Sequence, residues 1–241
     1  MKYKHRIGNR KIFFKRDEDS YLAESLRSLR TSIHFMEKRK NKVIIFTSTI
    51  PKEGKSTLSA NYAVSAARSG EKVLLVDCDI RRPRAHESFG IDIKEGITEV
   101  ILGEKKIEEV ILKGVEENLD ILPSKHFNQN ATELFWGNKM KNLLLELRKK
   151  YDLIVLDAPP LIVSADAVIL SEHADGVIYV CGYNMVSKNE LAQSKKKLDR
   201  AGVNIYGVVI NKVDKNGYSY DNYGYNNYRY YEEYITGDKK I

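Results

Sequence analysis

The chain has 241 residues, of which 42% are hydrophobic and 30% are charged. This composition is typical of a folded globular protein with a full core, and it excludes a disordered or fibrous chain. No apolar run approaches the roughly 20 residues that a transmembrane helix needs, and the two cysteines follow neither a metal-binding nor a disulfide pattern. The formal net charge of +7 favours an acidic partner or an anionic membrane. Because the basic residues are dispersed, we do not expect direct nucleic-acid binding. The basic start of the sequence has no apolar stretch typical of a secretory signal, so we expect a cytoplasmic protein.

The N-terminal region, residues 1–39, is predicted to be an arm that contains one amphipathic helix over 20–38. Apolar residues recur along this helix at near-helical spacing: Leu22, Leu26, Leu29 and Ile33. Three charged residues lie roughly along a different face: Glu24, Arg27 and Arg30. On these residues alone, a solvated charged face is a better explanation than a contact with a neighbouring subunit.

The middle of the chain, residues 40–215, alternates between strand and helix patterns. Apolar runs predict strands at 43–48, 72–77, 119–123, 153–157, 176–180 and 205–210. Helical spacing predicts helices at 56–69, 131–150 and about 187–200. Continuous apolar strands separated by helices indicate a parallel sheet that is covered on both faces. We therefore expect one doubly wound α/β domain with a mostly parallel sheet.

A phosphate-binding loop is predicted between the first strand and the helix that follows it. Gly54 lets the backbone approach phosphates, and successive N–H groups of the loop point at them from the helix N-terminus. Lys55 is expected to reach the β- and γ-phosphates, and the Ser56 hydroxyl to ligate Mg²⁺. Thr49 replaces the first glycine of the regular motif. The residues expected to bind ATP are Pro51, Lys52, Glu53, Gly54, Lys55, Ser56 and Thr57.

Three carboxylates follow strands whose carboxyl ends are expected to meet at one edge of the sheet, where ligands of open α/β sheets bind. Asp157 ends one apolar strand and is expected to hold Mg²⁺ through water. Asp77 and Asp79 follow another strand, where they can hold metal or accept a proton from an attacking hydroxyl. The predicted catalytic set is Lys55, Asp77, Asp79 and Asp157, and the predicted metal-binding set is Ser56, Asp77 and Asp157.

Asn211 begins the tetrapeptide Asn211–Asp214 after the last predicted strand. It can contact a nucleotide base, and the tetrapeptide resembles the guanine-reading sequence of GTPases. A polar turn with no ligand explains it about as well.

The C-terminal region, residues 216–241, is predicted to be a flexible tail, because it offers few aliphatic residues for a core. A mobile phenol can enter an active site and accept a phosphate that carries about −1.5 to −2 charges. The alternative is a sticky aromatic segment that binds a partner. The candidate phosphoacceptors are Tyr218, Tyr220, Tyr223, Tyr225, Tyr228, Tyr230, Tyr231 and Tyr234.

Four motifs together resemble the bacterial tyrosine kinases, or BY-kinases, which are P-loop proteins related to the MinD/ParA group. Residues 77–83 match their second Walker motif D-x-D-x-R-x-P, and residues 153–160 match their Walker B, with Ala158 where Thr or Ser is usual. Residues 24–30 match their E-x-x-R-x-x-R helix, and the tyrosine-rich tail matches their autophosphorylation cluster. The resemblance spans nearly the whole chain, in the right order.

The resemblance implies an ATP- and Mg²⁺-dependent protein-tyrosine kinase that phosphorylates the tails of its neighbours in a homo-oligomeric ring. Glu24, Arg27 and Arg30 would then pack subunits together, and Asp77 is our candidate for activating the tyrosine hydroxyl. The chain is similar to the split form of Gram-positive bacteria, which the cytoplasmic tail of a transmembrane adaptor recruits to the inner face of the membrane. That form acts in capsular or extracellular polysaccharide synthesis and export, and a cognate tyrosine phosphatase is a further expected partner.

Three other functions stay open on the sequence. A MinD/ParA-type ATPase would hydrolyse ATP without phosphorylating protein, and a nucleotide-gated adaptor would use the tail only to bind partners. A GTPase rests on Asn211–Asp214 alone.

Overall fold

The computed structural model describes residue 12 and residues 20–36, 42–127 and 131–213. The eight tail tyrosines and Asp214 lie outside the described residues, as do residues 1–11 of the predicted arm.

Seven strands and nine helices make up the described part of the chain. The strands are β1 (Lys42–Ser48), β2 (Val73–Asp77), β3 (Leu112–Glu116), β4 (Leu119–Leu122), β5 (Leu153–Asp157), β6 (Gly176–Gly182) and β7 (Ile205–Asn211). The helices are α1 (Tyr21–Met36), α2 (Lys55–Arg68), α3 (Ala85–Ser88), α4 (Ile97–Leu102), α5 (Ile107–Val110), α6 (Ala131–Phe135), α7 (Asn138–Arg148), α8 (Asp166–Ser171) and α9 (Lys188–Arg200).

The strands form one sheet in the order β3-β4-β2-β5-β1-β6-β7. All neighbouring strands are parallel except β3 and β4, which form an antiparallel pair at one edge. The predicted doubly wound, mostly parallel sheet is therefore confirmed. In the register of β2 on β5, Asp77 lies beside Asp157, so two of the predicted carboxylates meet at the carboxyl ends of adjacent strands.

Alternate residues of the central strands face two separate hydrophobic layers. Val43 and Ile45 of β1 belong to one layer, and Ile44 and Phe46 belong to the other. Every residue of β2 and β5 is buried. This two-sided burial explains why the strands are apolar without interruption, since both faces of the sheet are covered.

The single helix predicted over 131–150 is wrong, because the structure has two helices there. Helix α6 ends at Phe135 and α7 begins at Asn138. Between them Gly137 adopts a φ of 102°, which residues other than glycine rarely adopt. The sequence pattern continues across this break, since Leu134 and the leucines of α7 keep helical spacing.

Helix α1 packs on α2 through part of the apolar face that was predicted for it. Leu26 and Ile33 are buried, whereas Leu22, which was assigned to the same face, is half exposed. Arg30 Nη1 donates a hydrogen bond of 2.6 Å to the carbonyl oxygen of Ser65 in α2. Arg27 forms an ion pair of 3.0 Å with Glu24 of its own helix.

No helix among the described residues combines the length and the apolar character that crossing a membrane requires.

Candidate functional site

The predicted phosphate loop lies between β1 and α2, and Glu53 holds its shape. The buried Glu53 carboxylate accepts hydrogen bonds from the backbone N–H of Ile50 at 2.8 Å and of Gly182 at 2.9 Å. Lys52 and Gly54 have φ angles of 71° and 98°. These left-handed conformations on either side of Glu53 turn the backbone back toward α2. Glu53 was expected only to bind the nucleotide, and its contacts show that it ties the loop to the end of β6.

Asn211, at the end of β7, also holds the phosphate loop. Its side-chain amide donates a hydrogen bond of 2.8 Å to the carbonyl oxygen of Glu53. A Cβ atom at Gly54 would lie 2.1 Å from the same amide nitrogen, so glycine is required there on two grounds. The predicted contact of Asn211 with a nucleotide base stays a prediction.

Thr49 is buried at the position where the regular motif has glycine. Its Oγ1 lies 2.6 Å from the phenol oxygen of Tyr179 in β6, and the two form a hydrogen bond. The hydroxyl is therefore satisfied within the protein, and Thr49 anchors the start of the loop to the sheet. The other predicted loop residues differ in exposure: Pro51 and Lys52 are exposed, and Ser56 and Thr57 are half-buried.

Lys55 is buried among the carboxylates that the sequence predicted. Its Nζ lies 2.9 Å from Oδ2 of Asp79 and 3.3 Å from Oδ1 of Asp157, and 3.2 Å from the hydroxyl of Ser56. Burial by itself lowers the pKa of the Lys55 ammonium, but Asp157 and Asp79 outweigh it and raise the pKa above its usual value. Lys55 is therefore a permanent positive charge at the strand ends.

Asp77 is fully buried and shapes the turn that follows β2. Its Oδ1 accepts a hydrogen bond from the N–H of Asp79 at 3.1 Å, and its Oδ2 accepts from Arg84 and Ala85, both at 2.9 Å. Burial, together with repulsion from Asp157, raises the pKa of the Asp77 carboxyl to about 8. The backbone N–H donors and Lys55 lower this pKa, but they only partly offset the increase.

Asp157 has one oxygen ready for a further partner. Its Oδ2 is buried and has no hydrogen-bond partner among the described residues, while Oδ1 contacts Lys55. Burial raises the pKa of this carboxyl, against the opposing effects of Lys55 and Ser56. Buried polar atoms without partners are rare in folded proteins. A buried carboxylate oxygen without a partner is the kind of ligand that a hard cation such as Mg²⁺ prefers.

The described residues contain no cluster of three or more His, Cys, Asp or Glu side chains that could hold a metal ion by themselves. Mg²⁺ ordinarily takes most of its ligands from water and phosphate oxygens and only one or two from the protein.

A second polar network joins the turn after β2 to two helices, and no pattern in the sequence predicted it. Arg81 donates from Nε to Oδ2 of the fully buried Asp166, at 3.3 Å. Thr132 of α6 donates from Oγ1 to Oδ1 of Asp166 at 2.7 Å and accepts from Arg81 at 3.4 Å. Because these residues lie 34 to 85 positions apart, no local pattern could have linked them.

Comparison with known proteins agrees with this arrangement. A family model described as an AAA domain matches residues 41–204, more than half of the chain. Tyrosine-protein kinase YwqD of Bacillus subtilis is 35% identical over 203 residues, which cover 84% of this chain and 86% of YwqD. The chain belongs to the bacterial tyrosine kinase family. Putative tyrosine-protein kinase EpsB of Ralstonia nicotianae is 37% identical over 210 residues, and the chain spans only 28% of its length.

Solved structures of BY-kinases share the fold. The kinase domain of Escherichia coli tyrosine kinase ETK aligns with a TM-score of 0.78 at 29% identity, over 91% of this chain and 86% of that one. The chimerical protein CapA2B2 aligns with a TM-score of 0.80 at 30% identity, over 84% and 90% of the two chains. The septum site-determining protein MinD of Pyrococcus horikoshii, complexed with Mg-ADP, aligns with a TM-score of 0.60 at 25% identity over 70% of this chain and 69% of that one. Nucleotide binding follows from the P-loop fold that the chain shares with these proteins.

Proposed function

We propose that the chain is an ATP-dependent protein-tyrosine kinase that phosphorylates the C-terminal tyrosines of neighbouring copies. The observation that carries the proposal is Lys55, held at 2.9 Å and 3.3 Å from Asp79 and Asp157 behind a preformed phosphate loop. This arrangement supports the proposal, because a fixed cation and several carboxylates lie at the carboxyl ends of the strands, where ligands of open α/β sheets bind. The phosphoacceptor tyrosines remain predictions from the sequence.

Each residue at the strand ends has a proposed role in phosphoryl transfer. The backbone N–H groups of Gly54 to Thr57 cradle the phosphates, and Lys55 neutralises charge that develops on the transferred group. Ser56 and Asp157 would hold Mg²⁺, which stabilises the charge of the β- and γ-phosphates when it is bound. Asp157 Oδ2, buried without a partner, is the atom that such an ion would satisfy.

The acceptor phenol needs a group that takes its proton, because a phenol with a pKa near 10 is mostly protonated at neutral pH. We assign this role to Asp79 rather than to Asp77. Asp77 is fully buried, both of its oxygens accept backbone N–H groups, and its raised pKa leaves it protonated near neutral pH. Asp79 is also the partner of Lys55 and keeps its ammonium in place. The phenol oxygen attacks the γ-phosphorus of ATP. The bond between the γ-phosphorus and the β–γ bridging oxygen breaks, ADP leaves with that oxygen, and the phenol proton passes to the carboxylate.

The cellular setting follows from the BY-kinase resemblance. We propose an oligomeric ring in which Glu24, Arg27 and Arg30 contribute to the subunit contact, and recruitment to the inner membrane face by the cytoplasmic tail of a transmembrane adaptor. The kinase would act in capsular or extracellular polysaccharide synthesis and export, and a tyrosine phosphatase would remove the phosphate groups from its tail.

Phosphotyrosine mass spectrometry tests the kinase activity directly. The full chain, carrying a His-tag, is concentrated on nickel-chelating vesicles in place of an adaptor and incubated with Mg·ATP. Phosphate is expected between Tyr218 and Tyr234 in the unmodified chain and in the control Lys149→Met, which changes an exposed lysine at the end of α7. Lys55→Met should abolish it.

A mixing experiment tests transfer between copies. Isotope-labelled Lys55→Met chains with an intact tail are mixed with active chains whose eight tail tyrosines are replaced by phenylalanine. Phosphate on the labelled chain supports transfer in trans. ATP turnover that leaves every tail unphosphorylated would contradict the kinase proposal and favour a positioning ATPase.

A further inference from the structure

A surface groove of about 450 Å³ lies beside the site just described. Helices α4, α6 and α7 and the segment after β4 form it, and six of its lining residues matter here: Leu102, Phe127, Glu133, Leu134, Trp136 and Lys139. We name it the Trp136 groove.

The Trp136 groove is joined by hydrogen bonds to the turn that carries Asp79. The N–H of Phe127, in its wall, donates to the carbonyl oxygen of Ile80 at 2.8 Å. Thr132, on the helix that supplies Glu133 and Leu134, joins Arg81 and Asp166 in the network described above. The wall of the groove is therefore held against the turn that follows β2 and carries Asp79.

Two large apolar side chains of the groove are exposed to solvent. The side chain of Trp136 is 67% exposed and that of Leu102 is 42% exposed. Trp136 is also the single tryptophan of the chain. The acidic Glu133 and the basic Lys139 also line the groove. An aromatic surface with one acidic and one basic neighbour suits a segment that has aromatic rings and both positively and negatively charged side chains.

The tyrosine-rich segment Tyr218–Tyr234 has the matching chemistry. It contains eight tyrosines and no aliphatic residue, so phenol rings are its only sizeable apolar surface. It also carries Arg229 and the pair Glu232–Glu233, which are complementary in charge to Glu133 and Lys139. Fully extended, its seventeen residues reach roughly 55 Å, so one tyrosine can rest in the groove while another lies near Asp79.

We propose that the Trp136 groove is the docking surface for the tyrosine-rich segment of another copy, holding the acceptor beside the phosphoryl-transfer site. This inference rests on the proposed kinase function and names how that function selects its substrate. Trp136 is the central contact, with Leu102 and Phe127 beside it. It is a docking residue and takes no part in the reaction itself.

Trp136 fluorescence tests the docking without any phosphoryl transfer. A full-length chain with its eight tail tyrosines changed to serine removes competition from its own tail. A synthetic peptide of residues 216–236 should change the Trp136 emission saturably, and the same peptide with every tyrosine replaced by serine should not. An emission spectrum that stays constant up to millimolar tyrosine peptide would overturn the proposal.

Transfer kinetics with the same peptide test whether the docking serves the reaction. Trp136→Ala should raise the KM for the peptide about fivefold, the loss expected for one stacked aromatic contact, and leave kcat within twofold. Leu102→Ser, a second groove variant, should act in the same direction. Leu145→Ala, which removes an exposed side chain of α7 that does not line the groove, should leave KM unchanged.

The two assays separate failure of docking from failure of the kinase proposal. If the peptide is phosphorylated and Trp136→Ala leaves its KM unchanged, the groove does not dock the acceptor and the proposal is overturned while the kinase stands. If Trp136→Ala instead abolishes only activation by an adaptor segment, the groove belongs to the adaptor, which also overturns the proposal. Peptide binding that shifts Trp136 emission in the absence of any transfer would support docking and contradict the kinase.

Discussion

Substituting Gly54 by alanine tests the contact between the phosphate loop and β7. Two effects are expected to lower the free energy of unfolding of Gly54→Ala. The first is the left-handed backbone, with a φ of 98°. The second is the side-chain amide of Asn211, which would lie 2.1 Å from the new Cβ and must move away from the Glu53 carbonyl oxygen.

The two costs can be estimated separately. A left-handed conformation costs an L-residue about 1–2 kcal/mol, less the roughly 0.4–1 kcal/mol that alanine gains by restricting the unfolded chain. Loss of the amide hydrogen bond adds about 1 kcal/mol. The free energy of unfolding of Gly54→Ala should therefore fall by about 2 kcal/mol, summing these terms.

Gly202→Ala is the matched control, because Gly202 has a φ of 66° and nothing within 4 Å of the added Cβ. It should show the backbone cost alone, about 1 kcal/mol. Urea unfolding gives both values, provided that the m-values agree. Adding Asn211→Ala to each variant completes a double-mutant cycle, and in that background the cost at Gly54 should drop to the cost at Gly202.

Equal losses of stability for Gly54→Ala and Gly202→Ala in the unmodified background would contradict the role given to the Asn211 amide. They would mean that the Asn211 amide moves without loss, and that the bond to the Glu53 carbonyl contributes nothing to the stability of the loop.

Three further predictions concern the buried polar groups. Burial and nearby charge raise the pKa of Asp77 to about 8 in the folded chain, whereas an aspartate of the unfolded chain has a pKa of about 3.9. Between these two pH values the folded chain therefore holds a proton that the unfolded chain has lost. In metal-free buffer, stability should therefore fall as pH rises from about 4 to 8, and unfolding curves of Asp77→Asn should show a flatter dependence. Asp166→Ala should lower the free energy of unfolding by about 2 kcal/mol, because it strips Arg81 of a buried partner, with partial rescue in Asp166→Asn. Tyr179→Phe should cost about 1 kcal/mol in urea unfolding, the value of its bond to Thr49, and a neutral result would show that the Thr49 hydroxyl finds another partner.

The sequence predicted the parts of the fold that leave a local signal. Each buried strand is a short apolar run, and the phosphate loop is a glycine–lysine turn between a strand and a helix. These signals located six of the seven strands and the carboxylates at their ends. Strand β3, Leu112–Glu116, was missed because it is an edge strand with two exposed residues, so it lacks a continuous apolar run.

The sequence did not predict contacts between residues that are far apart in the chain. Thr49 looked like a departure from the motif, whereas its hydroxyl bonds to Tyr179, 130 residues away. Glu53 looked like a ligand of the nucleotide, and its carboxylate bonds to Gly182, 129 residues away. Such partners become neighbours only when parallel strands assemble, and the apolar pattern specifies that a strand is buried but not which side chains meet across it.

The hydrogen bond between Arg30 and Ser65 has a consequence for assembly. Ser65 lies ten residues after Lys55 on one continuous helix, roughly 15 Å along its axis at 1.5 Å per residue. A guanidinium has a limited set of donors, so a neighbouring subunit that engages Arg30 competes with the α2 carbonyl for it. If Arg30 contacts a neighbouring subunit as proposed, subunit association and the packing of α1 on its own domain would depend on the same side chain. Assembly of the proposed ring would then alter a contact on the helix that begins at Lys55.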